Sequence, residues 1–196
     1  MRSLLYWHPS SYHFIMQQLY GKDFNTRYEK IASLIPAKAE VVELCMGDAY
    51  LYRKYLSVKK VSYLGLDVNE TFVHAAEKKN IPAKFFNILY DEIPAADYII
   101  MQAGLYHFIP DEKKIIQKML NASRKFVLIS EPVNNRAHSK NPLVSFIAKY
   151  GANPGTGQAL HRFDEKSAME CFRSFKEFRE DMTVKAGKEI AGVFAK

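Results

Sequence analysis

Residues 39–52 read A-E-V-V-E-L-C-M-G-D-A-Y-L-Y, and the fold turns on them. Val41, Val42 and Leu44 make a short apolar run of the kind that is buried on both faces of a parallel sheet. The chain then turns at Gly47 and enters Asp48 to Leu56, whose apolar spacing predicts a helix. Strand, small-residue turn and helix in that order aim backbone N–H groups at anything above the strand end. A second apolar run from Val61 ends at Asp67, about twenty residues beyond Gly47. An acidic residue at the tip of a second strand accepts hydrogen bonds from both hydroxyls of a ribose. Together the two features predict a nucleoside-containing ligand.

Outward from this centre, strands and helices alternate. Glu70 to Lys79 has helical spacing and stops before Pro82, and Ala83 to Asn87 is a third strand. Asp97 to Gln102 is a fourth strand, Asp111 to Leu120 a helix, and Lys125 to Glu131 a fifth strand. That rhythm predicts an α/β fold, a parallel sheet with helices on both sides. The ending differs: a helix from Asp164 is followed by two strands, Glu177 to Lys185 and Glu189 to Ala195. Upstream, residues 6–35 are helical in pattern and rich in aromatics, with a start at Pro9-Ser10-Ser11. A break falls at Gly21 to Asn25, and a second helix runs from Thr26 to Leu34.

The segment Glu43-x-Cys45-x-Gly47-x-Ala49, followed by Gly65-x-Asp67, resembles the cofactor signature of class I S-adenosylmethionine-dependent methyltransferases. That signature has an acidic residue and then three alternating glycines; here only the middle one is glycine. The resemblance runs from about Ile31 to Lys196. It implies a Rossmann-like, mostly parallel seven-stranded sheet with helices on both faces and a C-terminal antiparallel hairpin, its last strand inserted. It also implies a helical cap over residues 1–38 on an α/β domain over residues 39–196, the cap closing over cofactor and acceptor. S-adenosylmethionine is the implied cofactor, touched by Glu43, Cys45, Gly47, Asp48, Asp67, Val68, Asn87, Ile88 and Gln102. Cys45 and Ala49 are small enough to stand in for glycine, and a slightly relaxed turn is expected to spare both a positive φ.

Several of these residues carry two readings. Asp48 caps the following helix or contacts ligand. Asn87 stands where the family has an acid facing the adenine amino group, and its amide oxygen can accept that bond. Gln102, at the tip of the fourth strand, faces the transferring methyl group. His107 lies in Leu105-Tyr-His-Phe, similar to a Leu-His-His-Phe-like segment of small-molecule methyltransferases. It is a proton acceptor for an attacking hydroxyl or amine, or a packing residue. Glu131 is a further candidate base. Tyr20, Tyr28 and Tyr106 offer aromatic faces to a sulfonium, through cation–π attraction of roughly 0.5–2 kcal/mol each.

Composition bounds the rest. With 48% hydrophobic and 25% charged residues the chain is an ordinary globular one, and no apolar run nears the roughly 20 residues of a bilayer span. Cys45 and Cys171 lie far apart, which argues against a disulfide or zinc framework, and no metal site is expected. A cytoplasmic protein is expected. The net charge of +7 comes mostly from scattered pairs such as Lys59-Lys60 and Lys113-Lys114 on helix faces. One stretch differs: Val133 to Phe163 has Arg136, Lys140, Lys149 and Arg162, a Gly151 to Gly157 run, and no acid. It predicts a small acidic or phosphorylated acceptor lying against the N-terminal helices, with Arg136 and Arg162 binding it; nucleic acid is the less favoured partner. Two other readings stay open: a non-catalytic domain binding RNA or protein, and a nicotinamide oxidoreductase. Tyr50, in the place of a third small residue, argues against the latter.

Overall fold

A computed structural model describes residues 13–14, 16–18, 21–133, 162–185 and 189–196. Seven strands form one sheet: β1 (Glu40–Leu44), β2 (Ser62–Asp67), β3 (Ala83–Phe85), β4 (Ala96–Gln102), β5 (Ser123–Pro132), β6 (Phe178–Lys185) and β7 (Glu189–Ala195). Their order is β3-β2-β1-β4-β5-β7-β6, parallel from β3 to β5. β7 is inserted antiparallel between β5 and β6, as the hairpin reading requires. The central strands are apolar on both sides because helices cover both faces. α1 (Phe24–Ser33) and α2 (Glu70–Glu77) share a core with one face, through Phe24, Ile31, Phe72 and Ala76. α3 (Glu112–Ala122) and α4 (Glu165–Arg173) cover the other, through Ile116, Met119, Ala168 and Phe172.

Local chemistry explains the boundaries. The Asn69 side chain accepts from the Thr71 N–H and starts α2 directly after Asp67. Asp164 and Ser167 form a reciprocal capping box at the head of α4. Lys59 Nζ donates to the Ala32 and Ile35 carbonyls, at 2.6 and 2.7 Å, and so closes the C-terminal end of α1.

The stretch after Gly47 departs from its expected form. Cys45, Gly47 and Ala49 have φ of 54°, 56° and 54°, so both glycine replacements sit in the left-handed region, contrary to the relaxed turn expected there. A left-handed Ala49 cannot lie inside a right-handed helix. Helical geometry therefore begins only at Tyr50 rather than at Asp48, and passes into a π-helical turn, Tyr52–Leu56. The Pro9–Ser11 helix start and most of the basic segment, residues 134–161, lie outside the described residues.

Candidate active site

The C-terminal ends of β1, β2 and β4 border one cleft. Its lining brings together Cys45, Gly47, Asp67, Val68, Asn87, Ile88, Gln102 and His107, eight positions singled out in the sequence. Leu66, Phe72, Phe86, Ala103 and Phe108 also line it and were not singled out. Phe72, one turn beyond the strand-end acid, was the readable one, since a helix that starts there must present its first apolar residue to the strand tip.

Asp67 is the hinge of the arrangement. Its Oδ2 accepts from the Gly47 N–H at 2.9 Å and its Oδ1 from the Asn69 N–H at 2.8 Å. The β2 tip is thereby tied to the left-handed turn. Burial pushes its carboxyl up to about 6, against the lowering by backbone N–H groups of Asn69, Gly47 and Val68. Asp67 lines the cleft, and a carboxylate can accept further hydrogen bonds beyond these.

Other candidates are engaged differently. Glu43 does not line the cleft: its Oε2 accepts from the Tyr63 hydroxyl at 2.6 Å, and burial pushes it up to about 8. Asp48 neither caps a helix nor lines the cleft; its Oδ2 lies 3.0 Å from His13 Nδ1 and accepts from Arg53 at 2.8 Å. Asn87 Oδ1 accepts from the Leu89 N–H at 3.1 Å, which leaves one lone pair. Gln102 is 9% exposed, and among the described residues neither its amide oxygen nor its nitrogen has a partner.

Glu131 is buried and accepts from the N–H groups of Gly104, Leu105 and Tyr106, at 2.8, 2.7 and 3.4 Å. It thus clamps the 3-10 turn Leu105–Phe108 that carries His107, and burial still pushes it up to about 7. Among the described residues His107 Nδ1 has no partner; burial, then the Arg162 charge, push its ring down to about 3. Such a ring stays neutral and makes a poor store for a proton. Arg162 lies with its guanidinium 3.8 Å from the centroid of the Tyr106 ring, and among the described residues no carboxylate pairs with it. Tyr28 is buried in an aromatic cluster with Phe24 and Tyr50 and does not line the cleft. Tyr20 and Arg136 lie outside the described residues. Among the described residues no cluster of His, Cys, Asp and Glu could hold a metal, and no helix is long and apolar enough to cross a membrane.

No protein-family model matches the chain, and no curated protein does. Solved structures do match its fold. Magnesium protoporphyrin IX methyltransferase from Synechocystis PCC 6803, with bound S-adenosylhomocysteine, superposes with TM-score 0.62 at 13% identity, over 95% of each chain. A TehB-like S-adenosylmethionine-dependent methyltransferase from Corynebacterium glutamicum gives TM-score 0.64 at 15% identity, covering 95% of this chain and 96% of that one. The [4+2]-cyclase SpnF gives 0.64 at 9% identity, over 87% of this chain and 80% of its own. The fold is therefore that of class I S-adenosylmethionine-dependent methyltransferases, a scaffold that also carries other chemistry.

Proposed function

We propose that this chain is an S-adenosylmethionine-dependent methyltransferase acting on a small anionic acceptor. One observation carries the reading: Asp67, bonded to Gly47, closes a turn whose alternate residues Cys45, Gly47 and Ala49 are all left-handed. Keeping a left-handed backbone at two residues that resist it costs about 1–2 kcal/mol each, a strain characteristic of functional loops. A backbone so shaped leaves room for close approach of a nucleoside, with Asp67 to receive the ribose hydroxyls. Phe72 and Phe86 supply apolar walls for a base, and the Ile88 N–H and remaining Asn87 lone pair a polar edge.

S-adenosylmethionine supplies an already activated methyl group, so the protein's part is alignment and exclusion of water. Gln102 and His107 orient the acceptor. Glu131 acts through the turn it clamps, as a positioning residue. Arg162, stacked on Tyr106 beside His107, supports the anionic acceptor.

Calorimetry tests the cofactor. S-adenosylmethionine and S-adenosylhomocysteine are expected to bind and NAD is not. Asp67→Ala should lower affinity roughly tenfold to a hundredfold, the worth of a charged hydrogen bond at about 1.5–3 kcal/mol. No binding at millimolar cofactor would hand the chain to the non-catalytic reading.

A further inference from the structure

One face of the sheet breaks its own apolar pattern along one edge. Side chains on a strand return to the same face every second residue. On the face covered by α1, the core positions Val41, Ile100, Leu128 and Ala191 are apolar. Two residues further toward the cleft edge stand Glu43, Gln102, Ser130 and, on the antiparallel β7, Glu189. All four are buried, at 3%, 9%, 0% and 1% exposure. A polar row in a core is destabilising unless it is fully bonded.

This row is not fully bonded. Ser130 Oγ donates to Glu189 Oε1 at 2.5 Å, and Arg27 Nε reaches the same oxygen from α1 at 3.1 Å. Among the described residues Glu189 Oε2 has no partner, nor has either polar atom of the Gln102 amide. Gln102 and Ser130 are paired in the β4–β5 register, and Ser130 is bonded to Glu189, so the row runs from Gln102 through Ser130 to Glu189. Gln102 also lines the cleft, which gives the row its opening.

The row is electrically balanced. Arg27 offsets Glu189, and Glu43, pushed up to about 8 by burial, keeps its proton at neutral pH. A buried site without net charge, offering a carboxylate oxygen and an amide, favours an uncharged hydrogen-bond donor over an ion. We propose that the Gln102–Ser130–Glu189 row binds a hydroxyl group of the acceptor, with Glu189 Oε2 and Gln102 Oε1 receiving its hydrogen. This rests on the methyltransferase reading and narrows its acceptor to hydroxylated acids.

Fragments test the row directly. Phenol, toluene and acetophenone are titrated by ligand-observed NMR into the protein, with and without saturating S-adenosylhomocysteine. Phenol is expected to bind about tenfold more tightly than the other two. Glu189→Gln turns the free acceptor into a donor at constant shape, so phenol should weaken about tenfold and acetophenone strengthen, with S-adenosylhomocysteine affinity unchanged. If Glu189→Gln does not fold, Gln102→Met replaces it and should abolish the preference for phenol. A wild-type protein that does not prefer phenol, or a folded variant that keeps the preference, overturns the proposal. Loss of S-adenosylhomocysteine binding alone would instead overturn the cofactor reading, while the ligand-free titrations still decide the row.

Discussion

Cys45 and Ala49 show how closely opposing terms balance at single positions. Replacing Ala49 with Gly relieves about 1–2 kcal/mol of left-handed strain. It also adds about 0.5–1 kcal/mol of unfolded-chain entropy and removes a buried methyl worth about 0.8 kcal/mol. Ala49 is fully buried, so the last term applies in full. The sum lies near zero, and Ala49→Gly and Cys45→Gly should each unfold in urea within about 1 kcal/mol of the parent. A loss of more than about 2 kcal/mol would mean that side-chain packing, not backbone shape, decides these positions. Cys45→Val should be worse than either glycine, because a β-branched residue tolerates φ near 54° least. Small size was legible in the sequence; the left-handed φ was not, since local propensity argues against it at every non-glycine residue.

At the scale of elements, strands read well and tertiary partners did not. Apolar runs located β1, β2, β4, β5 and the inserted β7 closely, because burial on both faces leaves a continuous signal. Gln102 follows from the rule that ligands sit beyond parallel strand ends, Asp67 from its spacing to Gly47 and His107 from the resemblance of its segment; all three line the cleft. The Tyr63 partner of Glu43 and the Glu189 partner of Arg27 were not readable. The first depends on the β1–β2 register, and the second joins residues 162 positions apart. The role of Glu131 likewise emerged only when the turn after β4 folded back over it. Three backbone donors depend on that one carboxylate. Glu131→Ala strands them in a buried site and should cost about 2–5 kcal/mol in chemical denaturation. Glu131→Gln keeps an acceptor oxygen and should recover at least half of that loss. Equal losses for the two variants would show that the charge, rather than the acceptor geometry, holds the turn.

Across the whole molecule, buried carboxylates set a pH dependence of unusual sign. Burial raises Asp67 from 3.8 to about 6, Glu131 from 4.5 to about 7, and Glu43 from 4.5 to about 8. In each case the folded state holds a proton that the unfolded chain has already released. Between about pH 4 and 8 the folded form therefore binds more protons, and stability falls as pH rises. His107 acts oppositely: lowered from 6.5 to about 3, it is protonated only on unfolding and costs stability below about pH 6.5. Three raised acids outweigh one lowered base, so Tm should rise as pH is lowered from 8 toward 5. Cofactor affinity should move the other way. The ribose hydroxyls need the ionised Asp67 carboxylate, so binding of S-adenosylhomocysteine should weaken below about pH 6 while Tm climbs. Scanning calorimetry and titration calorimetry over the same buffers separate the two trends. Asp67→Asn, which cannot ionise, should flatten the acid limb of the binding curve; an unchanged limb would remove Asp67 from the ribose.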